Sequence, residues 1–332
     1  MNKPKISVIM AAYNAVDYIE KSIVSILEQT FDGWELIIIN DCSTDRTPEI
    51  IERYTKLDPR ISLLNNPVNI NQALSRNRGI SEARGKYIAI LDDDDIAFPS
   101  RLKIQCDFLE NNPSVALVAS AAEIIDKNGK IIGHKRSPEN LDELKFRIIL
   151  KNPLVHSSVM YRKELMEKIG GYNNKYFNAE DYKFYSELIK QHEITSLPDV
   201  LLKYRHTPQA ISIDSSSRKI QLTQSLEVNF ENVNNYMPLS REKTALLINV
   251  LHKNDLRINS IISFFNIYKK LVNSFIAKEG LDQTQAKKIW GIYNSERKNI
   301  LRYYLKNKNE KLVNFIEKIF FNKLWIKLKT KF

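Results

Sequence analysis

Four short apolar runs, each followed by a stretch with helical periodicity, fill the first third of the chain and leave it few folds to choose from. The runs are ISVIM (6–10), WELIIIN (34–40), RISLLNN (60–66) and KYIAIL (86–91). Between them, residues 15–29 put Ile19, Ile23, Ile26 and Leu27 on one helical stripe, residues 43–57 offer Ser43 or Asp45 as a helix cap, and residues 71–85 read as a helix that stops at Gly85. Pro99 then opens a fourth helical segment over 100–112. Strands that are apolar without interruption, alternating with helices, predict an α/β fold with a mostly parallel sheet covered on both faces. In such sheets ligands bind beyond the carboxyl ends of the strands. Acids stand there in IIIND and AILDDDD.

The pattern changes after residue 115. Residues 115–134 predict two strands around an Asn-Gly turn, 139–151 a helix, 154–161 a strand containing His156, 179–191 a helix, and 200–206 a last strand. Beyond about residue 215 the segments are long, helical and rich in Lys and Asn. An α/β domain is therefore expected over 1–214, with halves at 1–112 and 113–214, and an all-helical region over 215–332. The formal charge is +11, but residues 297–332 hold 11 Lys and Arg against 2 Glu, or +9. The basic character belongs to the tail, and no nucleic-acid partner is expected. Two cysteines, Cys42 and Cys106, give neither a disulfide framework nor metal-ligand spacing. The N-terminal apolar run is too short for a signal peptide, and no stretch reaches the roughly 20 apolar residues of a membrane span. The expected location is the cytoplasm or the inner face of the cell membrane.

Asp92, Asp93, Asp94 and Asp95 follow the fourth strand without a break. A helix N-terminus favours an acid or two, each by about 0.3–1 kcal/mol, and does not account for four. Hard divalent cations take oxygen ligands of this kind and bridge to phosphate oxygens. A haloacid-dehalogenase phosphatase also uses strand-end aspartates, but Ile96 and the position after the fourth strand do not match its pattern. The turn after the first strand, MAAYNAVDY, lacks glycine, so the dinucleotide fingerprint is absent. It offers Tyr13, whose ring could stack on a base or simply pack.

SVIMAAYNAVDYIEKSIVSILEQTF, WELIIINDCSTDRT, ALSRNRGISEARGKYIAILDDDD and AEDYKFYSEL together resemble the successive motifs of the family 2 glycosyltransferases, over about residues 4–207. The resemblance implies the GT-A fold, a UDP-sugar donor and a divalent ion, Mn2+ or Mg2+. It implies that Ala11, Tyr13 and Asp41 hold the base, and that Arg76 lies near the nucleotide, with Ser75 where Ala is usual. It assigns Asp92 to ribose and metal, Asp93 to ribose, and Asp94 to the metal. Glu180 and Asp181 match the catalytic pair, Asp181 as the base, and Arg205 and His206 resemble the segment that closes over the diphosphate. The acceptor half begins at 113, and His156 there reads as structural or acceptor-side.

Elementary chemistry agrees with those roles. A departing nucleoside diphosphate needs its charge neutralised by a metal, Arg or His. The attacking hydroxyl must lose a proton, and a carboxylate at a helix start, where the dipole favours its ionised form, can take it. One base and a direct displacement invert the anomeric centre. The alternatives are a metal-dependent sugar nucleotidyltransferase, which would carry a glycine-rich basic loop after the first strand, and a non-catalytic nucleotide-sugar-binding module. The acceptor is expected to be a saccharide or a lipid-linked saccharide. In the tail, Leu312, Phe315, Ile316, Ile319, Phe320, Leu324 and Leu328 share a helical stripe away from Lys311, Lys318 and Lys329. This predicts a basic amphipathic helix suited to an anionic membrane surface, or to packing within a homo-oligomer.

Overall fold

The structure, a computed structural model, describes residues 3–206 and 215–306. A first compact unit runs to Asn232 and a second begins at Val233. The expected division at 214 is displaced because helix α8 (Ser215–Asn234) adds to the first unit. Val228 is fully buried there, and Asn229 and Asn232 donate side-chain hydrogen bonds to the carbonyls of Ile149 and Ile148. The tail stripe from Leu312 to Leu328 lies outside the described residues.

The first half is built as the apolar runs predict. Strands β1 (Ile6–Ala12), β2 (Trp34–Asn40), β3 (Ile61–Asn65) and β4 (Tyr87–Ile90) lie in the order β3-β2-β1-β4, all parallel. Because side chains alternate across a strand, both faces are apolar. Ile6, Val8, Met10, Leu36 and Ile38 enter one core with helix α1 (Ile19–Leu27) and helix α2 (Thr47–Leu57), while Ile9, Ile37, Ile39, Ile88 and Ile90 enter the other with α3 (Asn71–Glu82). Gly79 sets how closely α3 lies on the sheet, since a Cβ there would meet Ile39 Cδ1 at 2.4 Å.

Beyond β4 the sheet becomes mixed. A two-residue strand β5 (Ile96–Ala97) and helix α4 (Arg101–Asn111) precede β6 (Val115–Ile125) and β7 (Ile131–Lys135), which form the expected hairpin, with Gly129 at φ 87° in its turn. Strand β8 (Met160–Arg162) inserts antiparallel between β4 and β6, and β9 (Glu193–Arg205) pairs parallel with β6 and antiparallel with β5. The parallel character thus belongs to the first four strands and to the β6–β9 pair. Residues 156–158 form a 3-10 turn, where a strand was expected, so His156 leaves the ladder and faces side chains. Helices α5 (Leu141–Ile148), α6 (Lys163–Ile169) and α7 (Glu180–Leu188) complete this half. The second unit packs α9 (Arg241–Leu251), α10 (Ile258–Glu279) and α11 (Gln283–Lys306) around Phe264, Tyr268, Phe275, Ile289 and Tyr293. Among the described residues no helix is long and apolar enough to cross a membrane.

Candidate active site

The four aspartates sit at the carboxyl end of β4, and each has a different partner. Asp92 accepts from Arg76 Nη2 at 2.7 Å, and its own N–H donates to Ser157 Oγ at 2.8 Å. Asp93 accepts the N–H of Tyr13 at 3.1 Å, which ties the turn after β1 to the cluster. Asp95 is fully buried and accepts the N–H of Arg205 at 2.7 Å. The Asp94 carboxylate makes no hydrogen bond or ion pair with another residue among those described. Burial, reinforced by the charge of Asp92, pushes Asp94 up to about 7. Burial and the neighbouring aspartates also raise Asp93 and Asp95 well above the usual carboxylate range. Asp92 moves the other way: burial opposes its charge, but the Arg76 guanidinium overcomes that and lowers it.

Arg76 joins the two halves of the site. Its side chain is only 5% exposed, and Nη1 reaches Glu180 Oε1 at 2.5 Å while Nη2 holds Asp92. Burial works against the Arg76 charge, yet the two carboxylates more than offset it and raise its pKa. Burial pushes Glu180 up to about 8 despite Arg76. Asp181, the next residue, accepts from Asn152 Nδ2 at 2.8 Å and from the Tyr182 N–H at 2.6 Å. The helix-start position was expected to favour its ionised form. Burial outweighs the Tyr182 N–H, and its pKa is raised.

The nucleotide-side candidates surround the carboxyl ends of β1 and β2. Ala11 lies on β1 opposite Ile39 of β2, and the Tyr13 side chain is half exposed. Asp41 is buried and accepts from Asn66 Nδ2 at 2.7 Å and the Ile70 N–H at 2.9 Å. Ser75, the departure from the family pattern, accepts the same Asn66 amide at 2.9 Å, so its hydroxyl helps order this loop. Arg205 is buried and its head group donates to backbone: Nε to the Asp94 carbonyl at 2.7 Å and Nη1 to the Asp126 carbonyl at 3.0 Å. It shapes the aspartate turn from behind. His206 is exposed, with its N–H on the Ile125 carbonyl, and the segment after it lies outside the described residues.

The donor set fits a divalent cation. No group of three or more His, Cys, Asp or Glu able to hold a metal occurs among the described residues. Asp94, whose carboxylate has no partner in another residue among those described, and Asp92 beside it are the residues that would hold such an ion, which takes oxygen ligands.

Glycosyl transferase family 2 matches residues 7–170. An uncharacterized glycosyltransferase of Methanocaldococcus jannaschii is 37% identical over 209 residues, spanning 62% of this chain and 72% of that protein. The chain belongs to glycosyl transferase family 2. WfgD of Escherichia coli, a UDP-Glc:alpha-D-GlcNAc-diphosphoundecaprenol beta-1,3-glucosyltransferase, is 30% identical over 210 residues, spanning 62% of this chain and 79% of WfgD. Among solved structures, S. aureus TarS 1–349 in complex with UDP superposes with a TM-score of 0.55 at 20% identity over 92% of both chains, a likeness of fold alone. As a family 2 glycosyltransferase the protein is an enzyme.

Two residues around the site of this glycosyltransferase, Asn152 and Arg101, carried no role in the sequence, and His156 was read there only as structural or acceptor-side. Asn152 orients Asp181. Arg101, fully buried, donates to the Ile90 carbonyl at 2.8 Å beneath the aspartates. His156 sits between Tyr185, whose hydroxyl is 2.5 Å from Nδ1, and Tyr172, 3.5 Å from Nε2. Burial, with Arg76 nearby, pushes His156 down to about 3 and keeps it neutral. Only a sequence signal linking residues far apart in the chain could have paired these groups.

Proposed function

We propose that this glycosyltransferase moves a sugar from UDP to a hydroxyl of a saccharide or lipid-linked acceptor, with inversion, in the assembly of a cell-surface polysaccharide. The observation that carries the reading is the Arg76 clamp, which holds Asp92 at the donor side and Glu180 at the acceptor side within one guanidinium. Asp181 is consecutive with Glu180, so the clamp sets the base beside the donor.

On this reading Tyr13 lies against the uracil, and Asp41 recognises the base through the loop it orders. Asp94 and Asp92 are the residues that would hold Mn2+ or Mg2+, which when bound neutralises the leaving diphosphate as a Lewis acid. Asp181 takes the proton of the attacking hydroxyl at its carboxylate. The Asn152 amide and the Tyr182 N–H keep that carboxylate aimed. Burial helps, because a raised pKa makes a stronger base. Similarity to WfgD supports a UDP-sugar donor and a lipid-linked acceptor.

The test is UDP release with Mn2+ over a panel of UDP-sugars, followed by the anomeric configuration of any product by NMR. A β-linked product from an α-linked donor supports the reading. A retained configuration, or UDP-sugar binding without turnover on any acceptor or water, refutes it.

A further inference from the structure

Lys135 has no task in the chemistry above. It ends β7, opposite Ala122 across the ladder. Two residues on, Ser137 Oγ donates to the Pro153 carbonyl at 2.7 Å, and the adjacent Asn152 holds Asp181 at 2.8 Å. These bonds bring the end of β7 toward the acceptor-half carboxylate, and Lys135 and Asp181 feel one another's charge. The lysine is half-buried and makes no hydrogen bond or ion pair among the described residues. Burial lowers its pKa; Asp181 pulls the other way, and the like charge of Lys151 adds to the cost. A cation kept in such a place is a liability unless a partner arrives.

Asp181 is only a conditional partner. When it takes up the acceptor's proton its negative charge disappears, and Lys135 loses its countercharge at the moment the reaction needs the site stable. A neutral saccharide supplies nothing in exchange. An anion carried by the acceptor does, and a lysine binds phosphate or carboxylate as a point charge.

We propose that Lys135 binds an anionic group of the acceptor, a phosphate or a carboxylate close to the attacking hydroxyl. The proposal rests on the transfer reading above for the identity of the acceptor side. The two anions have different sources, the diphosphate of a lipid carrier or the uronate of a polymer, and the experiment separates them.

Calorimetry on the full-length protein saturated with UDP and Mn2+ compares three probes: octyl diphosphate, methyl glucuronide and the uncharged methyl glucoside. One anion is expected to bind at least about 10-fold tighter than the glucoside, and Lys135→Gln to weaken it by about 10- to 100-fold, the usual weight of a hydrogen bond to a charged group. Lys135→Arg should restore most of the affinity. Diphosphate as the preferred probe indicates a lipid-carrier acceptor, and glucuronide indicates an acidic polymer. UDP affinity reports that Lys135→Gln is folded, and the wild-type preference stands as a test without any variant. A wild type with no preference for either anion, or a folded Lys135→Gln that binds the anion as well as wild type, overturns the proposal. If the anion binds through Lys135 while no UDP-sugar is turned over, the transfer reading fails and the anion site stands.

Discussion

Arg76→Met is the perturbation that asks most of the site, since methionine keeps much of the side chain's length and removes only the cation. Breaking a buried ion pair by deleting one partner costs about 3–5 kcal/mol. Two features reduce that figure here. Glu180 is already pushed up to about 8 with Arg76 present, so at neutral pH it is largely protonated with or without the guanidinium, and the variant leaves little charge unpaired there. Asp92 is 27% exposed, and water screens part of its charge. The expected loss is then about 2 kcal/mol, or roughly 4–8 °C in the melting temperature of a unit this size. Differential scanning calorimetry in the absence of UDP and metal reads it directly. Turnover should fall much further than stability, by about 100-fold or more, because Asp181 loses its fixed relation to the donor. The double variant Arg76→Met/Glu180→Gln should be no less stable than Arg76→Met alone, the non-additivity expected of partners in one hydrogen-bonded network. A melting temperature within 1 °C of wild type, or strictly additive losses in the cycle, would show that Arg76 is not the clamp.

Asp181→Asn should leave UDP affinity nearly intact and cut transfer by about 100-fold or more; lost donor affinity with unchanged kcat would make it a binding group instead. UDP binding should require a divalent ion, and Asp94→Ala should abolish most turnover; undiminished activity in that variant or in excess chelator would refute the metal assignment. Glu180 supplies a pH test. Burial raises its folded pKa from the ordinary 4.5 to about 8, so between those limits the unfolded state gives up its proton first. Its contribution to stability is therefore largest below about pH 4.5 and declines as pH rises toward 8, by a few kcal/mol in all. Subtracting the pH–stability profile of Glu180→Gln from that of wild type isolates this term, and a difference that grows more stabilising with pH contradicts it.

The first half, residues 1–112, was legible because its signals are local. Four apolar runs and four helical stripes each declare themselves within about a dozen residues, and the strand-end acids follow from chain order alone. His156 was misplaced for the converse reason. Residues 154–161 are apolar enough for a strand, but the Ser158 N–H donates to the Val155 carbonyl at 3.0 Å and closes a 3-10 turn, which its Oγ reinforces at 2.8 Å. The unit boundary was missed for a similar reason: Asn229 and Asn232 look like any helix surface until their partners, the carbonyls of Ile149 and Ile148, are known. The Arg76–Glu180 pair spans 104 positions, and no periodicity in one sequence reports a contact of that range.

Why the chain keeps four acids in a row can now be argued from their partners. Asp92 is neutralised by Arg76, Asp93 receives the turn after β1, and Asp95 receives the backbone of Arg205. Beneath them Arg101 is sealed in the core; burial pulls its pKa down to about 10, still far above neutrality, against the opposing pull of Asp95 and Asp92. Asp95 Oδ2 and Arg101 Nη1 are both buried without a hydrogen-bond partner, so Arg101 supports the cluster through its charge rather than through a bond to Asp95. Cations therefore face three sides of the quartet: Arg76 toward Glu180, Arg205 behind the turn and Arg101 underneath. Among the described residues, Asp94 alone of the four has a carboxylate with no hydrogen-bond partner in another residue. On the proposed reading that carboxylate is the one left to take a divalent ion, and the other three acids fix the backbone that holds Asp94 there.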